Sequence, residues 1–241
     1  MIISVQGLRT GTGSSFVAAN LAEIYARNSA VALASTTPAP GTFETYWGLP
    51  LQEDKSWLRQ INNNLPLAEA IERANYGYPV LFPFGLMDLM TDKSNEQCAQ
   101  QFLSTLVPHA FTHTLIDTGK ATSFWSKAFA NLVDAVVTVL EPDHDALVRL
   151  TNYSPRDNEF FLINKVVPGS SVGYRLTSFL ETEPRFVGKL ITPLLPQDEA
   201  ARESGFFMTR VVLSAPRAAI TQAPEGVSQN LLTQAARWAT R

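Results

Sequence analysis

Nine residues near the start of the chain, Gly7-Leu8-Arg9-Thr10-Gly11-Thr12-Gly13-Ser14-Ser15, hold the densest candidate chemistry. Three glycines in seven positions let a backbone approach a ligand closely. A helix starting at their end would aim its unpaired N–H groups at an anion. A plain strand-to-helix turn needs fewer glycines, so the stretch reads as a phosphate cradle.

Two other chemistries fit part of the sequence and fail on the remainder. The spacing Gly7-x-x-x-Gly11-x-Gly13 also suits a dinucleotide-binding dehydrogenase. That chemistry needs a tyrosine followed four residues later by a lysine, and none of Tyr25, Tyr46, Tyr76, Tyr78, Tyr153 or Tyr174 has one. The second strand also ends without an acid for a ribose. Gly169-Ser170-Ser171-Val172-Gly173 satisfies a nucleophile-elbow pattern, but a hydrolase requires a histidine downstream, and His109, His113 and His144 all precede it. Asp143-His144-Asp145 are neighbours on a strand-to-helix turn and cannot converge on one ion; Asp143 reads as a helix N-cap. His113 reads as a sheet residue, and Cys98 lacks an activating neighbour.

The elements that position the loop follow from periodicity. Ile2–Gln6 is a β-branched run, Phe16–Arg27 repeats apolar residues with a helical period, and Ala30–Ala34 is a second buried strand. Strand, glycine loop, helix and strand make a βαβ opening, hence a parallel sheet. Further on, helices are expected over Ser56–Asn62, Pro66–Asn75, Asn95–Leu106, Phe124–Leu132, Asp145–Thr151, Val172–Leu180, Glu199–Ser204 and Val227–Ala239. Strands are expected over Pro79–Phe84, Thr112–Asp117, Ala135–Leu140, Glu159–Asn164 and Phe186–Ile191. Pro38, Pro40 and Gly41 interrupt the chain after the second strand. The alternation predicts an α/β fold: a doubly wound, mostly parallel sheet of six or seven strands, helices on both faces, in one domain over 1–241.

Composition narrows the class. At 241 residues and 45% hydrophobic the chain can bury a full core, and 17% charged residues argue against disorder. A net charge of −3 without a Lys/Arg block excludes a nucleic-acid footprint. One cysteine rules out a disulfide framework. Met1–Gly7 lacks a basic signal-peptide start, and no apolar run approaches the ~20 residues that span a bilayer. A cytoplasmic protein without direct membrane insertion is expected. The C-terminal face of Val227, Leu231, Leu232, Ala235 and Trp238 suits packing on the sheet better than anchoring. Tyr46, Trp47, Trp57 and Tyr76-Gly77-Tyr78 make an aromatic region that is mainly core.

The loop resembles the deviant P-loop of the MinD/ParA family of ATPases, whose pattern is Lys-Gly-Gly-x-Gly-Lys-Thr-Thr. Its opening, Gln6-Gly7-Leu8-Arg9-Thr10-Gly11-Thr12-Gly13, is similar to that of the family's BcsQ (YhjQ) branch of bacterial cellulose biosynthesis proteins. Leu115-Ile116-Asp117 resembles the strand ending in the Mg²⁺-associated aspartate. Val133–Val137 with Glu141-Pro142-Asp143 resembles the next strand and loop, Leu162-Ile163-Asn164 the strand whose asparagine reads adenine, and Leu195–Ala200 with Pro196 the loop beside the base. The resemblance implies a P-loop domain holding nucleotide through Arg9, Thr10, Gly11, Thr12, Gly13, Ser14, Ser15, Phe16, Asn164 and Pro196, with Ser15 and Asp117 at Mg²⁺. It also implies a homodimer, with Arg9 in the signature-lysine position reaching the partner's nucleotide, and other cellulose synthase and secretion components as partners at the inner-membrane face.

The departures set the mechanism. Ser14 replaces the phosphate-binding lysine, and Lys55, Lys93, Lys120, Lys127, Lys165 and Lys189 all lie outside the loop. Losing one charge-assisted hydrogen bond costs about 1.5–3 kcal/mol, about one to two decades of affinity. Ser35-Thr36-Thr37 stands where the family places a water-orienting aspartate, a group worth ~10²–10⁴ in rate. Thr118-Gly119-Lys120 replaces the segment that senses the γ-phosphate. The expectation is a degenerate Walker A loop, a pseudo-ATPase with no catalytic residues of its own that holds ATP or ADP with Mg²⁺ weakly, or no nucleotide. The alternative is an active ATPase for localisation or partitioning in which Arg9 or Lys120 supplies the missing cation.

Overall fold

A computed structural model of the chain describes residues 1–37, 43, 46, 55–70, 72–73, 79–84, 93–206 and 219–239. The strands are β1 (Ile2–Gly7), β2 (Val31–Ser35), β3 (Glu72–Arg73), β4 (Val80–Phe82), β5 (His113–Lys120), β6 (Ala135–Leu140), β7 (Glu159–Ile163) and β8 (Leu190–Ile191). They form one sheet in the order β3-β4-β2-β5-β1-β6-β7-β8. Every pairing is parallel except β3 with β4, so the edge strand turns back on an otherwise parallel sheet. The α helices are α1 (Ser14–Ala26), α2 (Trp57–Asn63), α3 (Asn95–Leu106), α4 (Phe124–Ala130), α5 (His144–Thr151), α6 (Ser171–Thr182), α7 (Glu199–Phe206) and α8 (Ala219–Ala239).

Side chains of a strand alternate between faces, and the core divides accordingly. Ile3, Val5, Leu33, Leu115, Val137 and Leu162 meet α1 and α8 on one face. Ala32, Ala34, Ile116 and Val136 meet Trp57, Phe102 and Phe129, from α2, α3 and α4, on the other. Leu140, Phe161 and Ile163 continue that second face against Leu150 of α5 and Leu176 and Leu180 of α6. Both faces are covered, which is why β2 and β6 are buried at every position and β1 at every position after Ile2.

The doubly wound class and most element positions agree with the sequence. Ser94 caps α3 in a capping box with Gln97, fixing its start. Three expectations change. Residues 66–75 contain a 3₁₀ turn, Leu67–Ala70, followed by β3 rather than a helix. Phe186–Ile191 is strand only at Leu190–Ile191, because Phe186 N donates to Glu183 O and Lys189 N to Phe186 O in a turn. β5 runs on through Lys120, so Thr118-Gly119-Lys120 is strand rather than loop.

α8 packs beside α1: Val227, Leu231 and Ala235 are buried, and Tyr25 Oη donates to Ser228 O at 3.4 Å. Cys98 is buried, and His113 stacks on Tyr25. Pro38, Pro40, Gly41, Trp47, Tyr76-Gly77-Tyr78 and the side chain of Trp238 lie outside the described residues. Among the described residues no helix is long and apolar enough to cross a membrane.

Candidate nucleotide-binding site

β1 lies between β5 and β6, so its carboxyl end opens at the middle of the sheet, where doubly wound folds bind ligands. The register of β1 against β5 slips between Val5 and Gly7, a bulge that re-aims the chain as it leaves the sheet. Leu8 N then donates to Val139 O at 3.0 Å and Ala121 N to Gly7 O at 2.8 Å, tying the loop's start to both neighbours. Below it, Gln6 is buried in a polar knot. Its Nε2 donates to Thr138 Oγ1 at 2.8 Å and to the buried Glu159 Oε1 at 3.2 Å, and its Oε1 accepts from the Ser126 hydroxyl.

Gly11 and Gly13 have φ of +88° and +90°, the left-handed region that L residues enter at a cost. A Cβ on Gly13 would also run into the Asn164 amide. Gly13 is the N-cap of α1 and caps it with no side chain, and the first turn carries no acid. The N–H groups of that turn are therefore available to an anion, as the glycine spacing predicts.

Ser15 and Asp117 come together as expected. Ser15 Oγ donates to Asp117 Oδ2 at 2.5 Å, and Gly119 N donates to Oδ1 at 3.1 Å. Burial pushes the Asp117 carboxyl above the usual carboxylate range, opposed by hydrogen bonds from Ser15, Gly119 N and Ser14. A hydroxyl beside a buried carboxylate is a hard oxygen pair, and a Mg²⁺ ion would offset the desolvation that raises this acid. The donor set fits the ion.

Two cavities flank the loop. One, of about 790 Å³, is lined by Thr10, Gly11, Ser14 and Ser15, by Thr36, Thr37 and Lys120, and by Leu58, Phe84 and Trp125. The other, of about 760 Å³, is bordered by Phe16, Asn164, Lys165, Pro196 and Gln197. Gly13 borders both, so the loop lies between the two cavities. Phe16 meets Tyr46 edge-on, with ring centroids 6.3 Å apart, and Pro196 pairs with Val166 in an isolated bridge. Asn164 Nδ2 donates to Thr12 O at 2.9 Å, so it braces the loop from the side of the second cavity. Thr12 itself is buried, its hydroxyl donating to Arg9 O at 3.3 Å; it shapes the loop and lines neither cavity.

Arg9 is folded against its own chain. It donates to Asp143 Oδ2 at 2.5 Å and Glu141 Oε2 at 3.0 Å, and its Nε lies 3.6 Å from Asp145 Oδ2. The hydrogen bond to Asp143 raises the guanidinium further above its ordinary value. Burial would raise Asp143, but the Ala146 N–H and Arg9 outweigh it and hold this carboxyl below its usual range. Asp143 also caps α5, accepting from Ala146 N at 2.8 Å, so its reading as an N-cap holds. No group of acids, histidines and cysteines suited to a metal ion occurs among the described residues.

The sequence placed every lysine outside the loop, and in chain order that is correct. In space Lys165 reaches it: Nζ donates to Gly11 O at 2.6 Å and to Glu141 Oε2 at 3.2 Å. The signal that could have found it is its position directly after Asn164, at the carboxyl end of β7.

The family of cellulose biosynthesis protein BcsQ matches residues 1–225. Solved structures share the fold at low identity. MinD, the cell division ATPase of Pyrococcus furiosus, aligns with TM-score 0.74 and 16% identity over 96% of this chain and 98% of its own. A ParA family ATPase from Chlorobium tepidum gives TM-score 0.71 and 16% identity over 98% of each chain. The septum site-determining protein MinD from Pyrococcus horikoshii, complexed with Mg-ADP, gives 0.71 and 15% over 100% of each. No curated protein sequence matches the chain significantly.

Proposed function

The chain belongs to the family of cellulose biosynthesis protein BcsQ, and from that premise we propose that it is a nucleotide-binding scaffold for bacterial cellulose synthesis and secretion that does not hydrolyse ATP efficiently. The whole chain, 1–241, acts as one MinD/ParA-like unit. It works as a homodimer at the cytoplasmic face of the inner membrane, reached through protein partners of the synthase and secretion machinery.

The observation that carries this reading is the loop. Gly11 and Gly13 hold the left-handed turn that opens the N-terminus of α1 toward a cavity, while the groups that would drive hydrolysis are hydroxyls. Ser14 stands for the phosphate-binding lysine, and Thr36 and Thr37 stand where an acid would orient water. The N–H groups of Gly13, Ser14 and Ser15 hold the phosphates, and Asn164, Phe16 and Pro196 border the base. Ser15 and Asp117 take Mg²⁺, which supplies charge neutralisation between the phosphates. With hydroxyls at Thr36 and Thr37 in place of a water-orienting acid, bound ATP persists and acts as a clamp rather than a fuel. Arg9 crosses to the partner's nucleotide only when it leaves Asp143 and Glu141.

Calorimetric titration with Mg-ATP beside a Gly13→Asp control tests the reading. Saturable binding that the control abolishes, without phosphate release above the control, is the expected result. No heat up to millimolar ATP removes the nucleotide from the proposal. Lys120, on the wall of the phosphate cavity, favours a second reading, an active ATPase with a displaced cation used for localisation or partitioning. Phosphate release that Lys120→Met suppresses would establish that reading in place of the first.

A further inference from the structure

We propose that Lys165 is the phosphate-binding ammonium of this chain, delivered from the end of β7 to a loop that has no lysine of its own. The inference rests on the reading that the loop takes a nucleotide, and it assigns a residue that neither the loop motif nor the family resemblance points to.

Three independent observations converge on it. The first is backbone geometry. Lys165 has φ of +58°, one of few residues other than glycine held in the left-handed region among the described residues. L residues keep that conformation at a cost, and such strain persists where the surroundings enforce it. Here the neighbours on both sides are pinned: Asn164 N donates to Leu140 O at 2.8 Å, and Val166 N to Leu195 O at 3.0 Å. The kink between them turns the Lys165 side chain away from the sheet and over the loop.

The second is where the ammonium lands. Nζ lies 2.6 Å from Gly11 O, 154 residues away in sequence, in the loop two residues before the N-cap of α1, and Lys165 reaches it from the cavity that Asn164 and Pro196 border. Its other partner, Glu141 Oε2, also accepts from Arg9 at 3.0 Å, so this carboxylate is shared between two cations and binds neither exclusively. A carbonyl and half of a shared, part-exposed carboxylate are weak competitors for an ammonium beside a nucleotide's phosphates.

The third is the chemistry of the side chain. Lysine is a compact charge on a flexible four-carbon stem with three donors. It can keep one hydrogen bond to Gly11 O while turning another onto a phosphate oxygen. With 39% of its side chain exposed, Lys165 has room to make that turn. The loop lysine of an ordinary P-loop enters from the start of the helix; this one enters from the end of β7.

The test is calorimetric titration of Mg-ADP into the wild-type protein, Lys165→Met and Lys165→Arg, each at 50 and 200 mM NaCl. The exposed side chain leaves no buried cavity when shortened, and thermal melting of each variant checks that it folds. The expected result is a tenfold to hundredfold weaker Kd for Lys165→Met, within threefold of wild type for Lys165→Arg, and a shallower salt dependence for Lys165→Met. Equal affinities for wild type and Lys165→Met overturn the assignment while leaving the nucleotide reading standing. A weaker Kd with an unchanged salt dependence also overturns it, because Lys165 would then only brace the loop. A wild-type protein that binds no Mg-ADP at either salt removes the nucleotide reading itself, and this inference falls with it.

Discussion

The two walls of the loop are built from different materials. On the β2 and β5 side, hydroxyls from Ser14, Ser15, Thr36, Thr37 and Ser123 face an apolar backing of Leu58, Phe84 and Trp125, and the one acid there, Asp117, is wholly buried. On the β6 and β7 side, Arg9, Lys165, Arg149, Glu141, Asp143 and Asp145 form a part-exposed ion network. Most of the charge beside the loop sits on the second wall, while the first keeps Lys120 and has Arg9 at its edge. The difference also means that the two walls fail differently: one through its core, the other through its charges.

The largest effect is expected behind the hydroxyl wall. Trp57 is fully buried, touches Phe84, Trp125 and Phe102, and donates from Nε1 to Ser35 O at 2.7 Å. Trp57→Ala costs about 3–5 kcal/mol in urea unfolding. An equivalent truncation of the charged wall, Arg9→Ala, costs under about 1 kcal/mol, since its ion pairs are part-exposed. Similar losses from the two would mean that the ion network is as structural as the core. Next in size is a change that gives the hydroxyl wall its charge back. Ser14→Lys should tighten Mg-ATP binding about tenfold to hundredfold, the worth of one charge-assisted hydrogen bond. Phosphate release should stay near background because Thr36 and Thr37 remain; a large rise in turnover would show that the lysine alone was missing.

These contrasts were legible in unequal measure. The glycine loop and α1 could be read directly, because glycine spacing and helix starts are local properties. Asn95–Leu106 and Ala135–Leu140 match their expected bounds, the first fixed by a capping box and the second by an unbroken apolar run. Phe186–Ile191 looked like a strand by residue type, yet hydrogen bonds of a turn hold most of it, a competition that composition does not record. The charged wall was hidden for a different reason. Arg9, Glu141 and Asp143 were each noted along the chain, but their meeting depends on β1 and β6 lying side by side. Lys165 meets Gly11 only because the carboxyl end of β7 lies beside the loop, and its sole local mark in the sequence is its place directly after Asn164.

The smallest effects separate the walls by the sign of their pH dependence. Asp117 has its folded carboxyl raised by burial, so its contribution to stability is complete below the unfolded carboxylate range and is lost as pH rises through the raised value. Asp117→Asn should therefore stabilise the nucleotide-free protein at pH 7, on the order of 1 kcal/mol, while abolishing the Mg²⁺ dependence of nucleotide binding. Asp143 behaves in the opposite sense. Its carboxyl is held below the usual range by Ala146 N–H and Arg9, so its contribution is present above the unfolded value and is lost as pH falls through the depressed one. Asp143→Ala should cost about 1 kcal/mol at pH 7, most of it the lost cap of α5, and progressively less as the pH is taken toward 3. Thermal melting of both variants and the wild type between pH 3 and 8 checks the pair. The wild-type and Asp143→Ala curves should converge in acid, whereas Asp117→Asn should diverge upward from wild type toward neutral pH. Parallel curves for Asp117→Asn would mean that the buried acid is already relieved, and the two walls would then share one electrostatic character.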